Sequence, residues 1–330
     1  MSVLGAIQLI ALAGLSFALL LACLASGVAR FVIALTGSWS PERRHRALFL
    51  LGIAPVVFAV FGVLAVLAPS LLALTWPEYD HCLSHGDHHL HICLVHLPRH
   101  LGNGTSWLVL ALGVGWLLGK STLALSELYR AWKSVSRLRV NGERVPAIGA
   151  SVLPTAAPLC VLAGIFRPTL FLSQGLLAGI APEQITVVLH HERAHAARRD
   201  ILIRLLARVG TVFMWPSARA RLLGALDLAA EQSCDEVAAA SVGDRLQVAE
   251  AILRVERLLQ TTSFRLAPLA VEIGGSSVPE RVAALLEAPR HSGNAIPLGV
   301  GFILMLTGVL GASAPLHHLT ESLLEALVHR

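Results

Sequence analysis

The chain has 330 residues, with 26 Lys and Arg against 21 Asp and Glu and a formal net charge of +5; 55% of it is hydrophobic and only 14% charged. An ordinary soluble enzyme carries about 25% charged residues, so this balance excludes that class and points to several membrane spans. The positive excess suits topology and contact with anionic lipid, and no motif turns it into a nucleic-acid surface, so no direct nucleic-acid binding is expected.

Charged side chains are absent from residues 1–29, 47–77, 101–119 and 292–316. Each run reaches the roughly 18 apolar residues that mark a transmembrane helix. Trp39, Trp76, Trp107 and Trp132 fall near the ends of these runs, where interfacial anchors belong. Four such runs in one chain argue against buried core helices. Leu20-Leu21-Ala22-Cys23 resembles a lipoprotein cleavage box, but no Lys or Arg precedes the apolar run, so the first span is read as retained. Lys and Arg then set the orientation. The first connection holds Arg30, Arg43, Arg44 and Arg46 and is expected in the cytoplasm; residues 76–103 hold only Arg99 and are expected outside. Lys120, Arg130, Lys133, Arg137 and Arg139 follow the third run, which makes the long segment after it cytoplasmic. The expected organisation is three spans in 1–120, a cytoplasmic domain in 121–290, and a fourth span with a short outer tail in 291–330, in a multi-pass cell (inner) membrane protein with its N-terminus outside.

The outer loop is rich in metal-ligating residue types. His81, Cys82, His85, His88, His89, His91, Cys93 and His96 lie within it, followed by His100. Imidazole and thiolate together suit copper or zinc. In an oxidising compartment the two cysteines could instead close a disulfide around solvated histidines.

Within the cytoplasmic segment, Leu123 to Val140 continues the third span as a helix, and the Gly- and Pro-rich stretch 141–158 reads as loop with short extended pieces. The apolar runs Leu159–Leu162 and Thr169–Leu172, separated by Gly164 to Pro168, predict a small hairpin or pair of strands. An edge strand there could hold a peptide by strand addition; the alternative is simple sheet packing. Pro182-Glu183-Gln184 gives a helix start, with Ile185, Val188 and Leu189 as its apolar face.

That helix carries His191-Glu192-Arg193-Ala194-His195, an H-E-x-x-H motif. Residues four apart share one helix face, so two imidazoles can meet one Zn²⁺ while Glu192 serves as general base for a metal-activated water. A third ligand is needed. Glu231 and Asp235, also four apart on a predicted helix, could supply a carboxylate to the metal and a hydrogen-bond acceptor to a ligand histidine. A solvated acidic helix face is the competing explanation. Arg198, Arg199 and Asp200 close the motif helix and read as a helix-end ion pair. No tyrosine occurs between residues 131 and 330, so an oxyanion donor from that part of the chain has to be Arg, His or a backbone N–H.

The motif from His190 to Asp200, the apolar run to Trp215-Pro216, the cluster Glu231, Cys234, Asp235 and Glu236, and the upstream Gly164-Ile165-Phe166-Arg167-Pro168 together resemble the BlaR/MecR-type antirepressor membrane metallopeptidases. The resemblance covers roughly Leu159 to Ala240, and it departs at Ala230, where the family often has Arg. It implies a mainly α, polytopic membrane protein with about four transmembrane helices and a cytoplasmic gluzincin-like zinc peptidase domain built of helices and a small β-hairpin or sheet. Residue by residue, it implies His191, His195 and Glu231 as Zn²⁺ ligands, Glu192 as catalytic base and Asp235 as the partner of a ligand histidine. The implied activity is a zinc endopeptidase that turns an outside signal into cleavage of a cytosolic protein such as a transcriptional repressor. About 15 residues follow Pro315, so a penicillin-binding sensor is not expected there, and the His/Cys loop is the better sensor candidate. Two alternatives remain open: an HtpX-like membrane quality-control peptidase, and a non-catalytic metal-binding membrane protein.

Overall fold

The structure is a computed structural model that describes residues 3–76, 92, 104–260, 271–272, 277–288 and 296–328. Two long apolar helices come first, α1 (Val3–Leu35) and α2 (Pro41–Ala73), joined by a 3₁₀ turn at Thr36–Ser38. A third, α3 (Gly104–Asn141), runs without a break from its apolar half into its charged half. These three are long and apolar enough to cross a membrane. The fourth apolar run is broken: α10 (Ile296–Gly311) meets α11 (Ser313–Val328) with a bend of 66°, so the pair counts as a fourth span only if taken together. The fold is mainly helical, with three or four candidate spans and one small sheet.

Between α3 and α10 lie the strands β1 (Glu143–Val145), β2 (Ala150–Leu153), β3 (Cys160–Ala163), β4 (Thr169–Ser173) and β5 (Val271–Glu272), and the helices α4 (Gln174–Gly179), α5 (Pro182–Arg198), α6 (Asp200–Gly210), α7 (Pro216–Val242), α8 (Arg245–Gln260) and α9 (Val278–Leu286). The expected hairpin is present: β3 pairs antiparallel with β4, Cys160 opposite Leu172 and Ala163 opposite Thr169. Gly164 makes the turn possible with φ of 116°, a conformation an L side chain resists, and an added Cβ there would lie 2.7 Å from the Arg167 carbonyl oxygen. The sheet is wider than the hairpin, in the order β1-β2-β4-β3-β5, with β2 parallel to β4. That parallel pair joins residues about 20 apart, which is why local sequence pattern does not announce it.

Three packed regions position the site. Leu162, Leu170 and Leu172 of the hairpin bury against Val188 and Leu189 of α5. Val187 of α5 packs on Ala238 of α7 and on Val248 and Ile252 of α8. A third cluster joins the spans to the rest: Ala22, Ala25 and Ala29 of α1 and Leu48 of α2 meet Ala207 of α6 and Leu222 and Leu226 of α7. Small residues let these backbones approach closely. At the closest point Gly210 faces α2, where an added Cβ would lie 2.4 Å from the Gly52 carbonyl oxygen. The α6–α7 helical pair is thus anchored on the same two helices that are long and apolar enough to span a bilayer.

Candidate metal centre

The site rests on two helices whose ends are well defined. Pro182 opens α5 with its fixed φ, and the Gln184 side chain accepts from the backbone N–H of Ala181 at 3.2 Å. The helix stops at Arg199, in the left-handed conformation (φ 57°, ψ 42°) that is uncommon outside glycine. That one residue reverses the chain so that Asp200, the first residue of α6, turns back onto the motif. Helix α7 starts with Pro216 and ends at Gly243, left-handed with φ of 79°.

Within α5, His191 and His195 lie one turn apart and their Nε2 atoms are 3.1 Å from each other. Glu231 comes from α7: its Oε2 lies 3.4 Å from His191 Nε2 and its Oε1 3.4 Å from His195 Nε2. One atom from each of the three falls within 4.8 Å of the others, a grouping that could hold a metal ion. Each imidazole has a carboxylate behind it. His191 Nδ1 donates to Asp235 at 3.0 Å, and His195 Nδ1 donates to Asp200 at 2.7 Å. Proton on Nδ1 leaves the Nε2 lone pair aimed at the common point, the tautomer that metal ligation requires.

Asp235 is itself clamped. Arg281 of α9 reaches it with two hydrogen bonds, at 2.8 and 2.7 Å, and places Nη1 3.1 Å from Glu231 Oε2. Arg198 lies 3.3 Å from the other Asp200 oxygen. Glu192 is fully buried, and neither of its carboxylate oxygens has a hydrogen-bond partner among the described residues. A buried carboxylate without partners is costly, and it fits a site completed by a cation and a water.

The electrostatics are those of a closely coupled cluster. Burial opposes charge on His191 and His195. On His191 hydrogen bonds to Asp235 and Glu231 outweigh it, on His195 chiefly the charge of Glu231, and both pKa values rise. Burial likewise opposes charge on Glu231, but the two histidines and Arg281 hold its carboxyl well below the ordinary range. Glu192 goes the other way: burial pushes its pKa up, and the neighbouring histidines only partly offset this. A carboxylate raised toward neutrality is suited to take and return a proton. Two carboxylates in one site are driven apart, one to stay ionised and one to exchange protons.

A second group, His195, Asp200 and Cys234, is equally compact. It is the weaker ligand set. Asp200 already binds the Nδ1 proton of His195, and burial pushes the Cys234 thiol up, which disfavours the thiolate a metal needs.

The structure brings His191, Glu192, His195, Glu231 and Asp235 together. His81, Cys82, His85, His88, His89, His91, Cys93, His96 and His100 lie outside the described residues. Sequence reasoning missed two partners. Asp200 was read as half of a helix-end ion pair; it makes that pair with Arg198 and also serves His195. Arg281 was not singled out, although a lone Arg on a predominantly apolar helix face is the signal of a buried partner. His45 of α2 was not singled out either; it is buried beside His195, Asp200 and Asp227. The edge of β3, the strand whose Cys160 neighbours Glu192, is paired with β5 at Val161 and Leu162, so simple sheet packing describes that stretch.

An H-E-x-x-H helix, a carboxylate from a second helix and long apolar helices define a metallopeptidase-like site in a membrane protein. Residues 143–285 match the family model described as BlaR1 peptidase, M56, so the resemblance to BlaR/MecR-type peptidases is shown over that stretch. No curated protein and no solved structure matches the chain.

Proposed function

We propose that the chain is a membrane-bound zinc endopeptidase, with His191, His195 and Glu231 holding Zn²⁺ and Glu192 acting as general base. The observation that carries this reading is the convergence of two Nε2 atoms and a carboxylate next to a buried, unpartnered Glu192. The donor set of two imidazoles and one carboxylate suits zinc with a position left open. When bound, zinc supplies Lewis-acid polarisation of the scissile carbonyl and makes water acidic enough to attack near neutral pH.

The chain's own residues do the rest. Glu192 takes a proton from the attacking water and passes it to the leaving amine, a cycle its raised pKa favours. Asp235 and Asp200 hold the imidazoles in the ligating tautomer, and Arg281 fixes Asp235 and balances the charge of Glu231. The peptidase segment, 121–290, faces the cytosol in this reading, because Lys and Arg gather in the connections on that side. The substrate is a cytosolic protein, a transcriptional repressor being the type expected from the resemblance, and copper or zinc at the His/Cys loop is the outside signal.

Comparing N-terminal peptide profiles of cells expressing the wild-type chain and Glu192→Gln at equal level, with and without added copper or zinc, tests this. Cleavages that need Glu192 and appear with metal are expected. Profiles that are identical in every condition, together with no zinc in the purified protein, would sink the proposal; Glu192-dependent cleavage of damaged membrane proteins regardless of metal would replace the sensor with a quality-control enzyme.

A further inference from the structure

Away from the candidate metal centre, α1, α3 and the link between α6 and α7 line a half-open cavity of about 520 Å³. This lies within the roughly 300–1,000 Å³ range of small-molecule sites. Its walls are apolar: Leu15 and Leu19 from α1, Val109 and Leu112 from α3, and Phe213 and Met214 from the link. Away from the cavity α3 is bare, with Val114 and Leu118 exposed, as a helix facing hydrocarbon would be. In a chain with three apolar spans, water is the wrong filling for such a space and an acyl chain is the right one.

One end of the cavity is different. Trp116 and Trp215 line it, and Lys120 and Arg219 stand beside them. The Lys120 ammonium sits 4.5 Å from the centre of the Trp116 ring. Arg219 is held in place by donating to Thr211 Oγ1 at 3.2 Å, and the other charges facing it are Arg208 and Glu127. Two cations and no carboxylate are among the residues that line the cavity, which leaves it net positive. Tryptophan beside Lys and Arg is the pattern of the headgroup level of a bilayer, and basic pockets between spans on the cytoplasmic side take anionic lipid. The Trp215 backbone N–H also donates to the Ser26 hydroxyl of α1 at 3.1 Å, which fixes this end near the last turns of the first span.

We propose that this cavity is a binding site for one anionic phospholipid. An acyl chain fills the space between α1 and α3, and the phosphate is held by Lys120 and Arg219. The lipid would rest against the 211–215 link, which joins α6, the helix that brings Asp200 to His195, to α7, the helix that carries Glu231.

The test reconstitutes the full chain in phosphatidylcholine nanodiscs containing a small fraction of lipid with brominated acyl chains, which quench nearby tryptophan. Brominated phosphatidylglycerol should quench more strongly than brominated phosphatidylcholine at equal mole fraction. In Lys120→Gln and Arg219→Gln the preference should drop about fivefold for each cation lost. Arg130→Gln, further along α3, should keep it. Val109→Phe, which fills the cavity and leaves both cations in place, should reduce quenching by either lipid. Equal quenching by the two lipids, or a preference unchanged in the double cation variant, would overturn the proposal. So would efficient disulfide cross-linking of Val109→Cys between two copies, since a second copy of the chain would then occupy the groove.

Discussion

His191 and His195 share one helix face, and what separates them is the residue behind each. His191 is backed by Asp235, already neutralised by the bidentate Arg281. His195 is backed by Asp200, whose second oxygen meets only Arg198 among the described residues, at 3.3 Å. The negative charge behind His195 is therefore the less shared of the two. Replacing Asp200 with Asn keeps the shape, removes the charge and permits the wrong tautomer. Outer partners of metal-bound histidines typically contribute 10–100-fold to affinity. Asp200→Asn is expected to weaken zinc binding by about that factor, as read by competition with a chromogenic chelator, and an unchanged affinity would mean that Asp200 serves only the helix end. The five core site residues were legible in the sequence because the helical repeat is local: positions four apart are one turn apart whatever else the chain does. Asp200 was not, because its role depends on the left-handed Arg199, and no repeat signals a single residue with reversed φ.

At the scale of elements, the site is assembled by helix ends and by one short helix from far along the chain. Helix α9 buries Val278 and Leu285 against α8 and α7 and delivers Arg281, only 3% exposed, to the carboxylates of α7. Its guanidinium bridges Asp235 and Glu231, which the helical repeat of α7 already sets one turn apart. Removing one partner of a buried ion pair typically costs about 3–5 kcal/mol, because the remaining charge stays buried. Arg281→Met is expected to lower the thermal midpoint of the detergent-solubilised protein markedly. Arg281→Met combined with Asp235→Asn should recover part of that loss, since no charge is then stranded; a double variant no better than the single one would mean that Arg281 acts through packing alone. Arg281 lies 46 positions from Asp235, and no short-range pattern in the sequence connects the two.

At the scale of the whole molecule, the peptidase-like part is not a free unit hung on a membrane anchor. Helices α6 and α7 bury Ala207, Leu222 and Leu226 against α1 and α2, and His45 at the start of α2 lies beside Asp200. The long apolar helices and the helices of the candidate metal centre therefore share one core. The proposed topology places the 36–46 connection and the peptidase segment on one side of the membrane, which this shared core requires. A cysteine-accessibility scan of intact cells is expected to find Ser38→Cys and Ser217→Cys protected from an impermeant maleimide until the membrane is opened. Labelling of either before permeabilisation would reverse the orientation.

The sequence by itself determined the apolar spans, the helix with its histidine pair, the second helix with its carboxylates and the hairpin between them. All of these are written in short-range patterns: uncharged length, a repeat of 3.6, and alternation broken by glycine and proline. Only the tertiary structure decided which carboxylate stands behind which imidazole, that Arg281 closes the cluster, that the sheet has five strands, and that the fourth apolar run is broken by a sharp bend. The contacts of Arg281 with α7 and the outer pairings of the sheet join residues tens of positions apart, and the free energy that selects them comes from burying shared surface and pairing buried charge, quantities no local pattern contains.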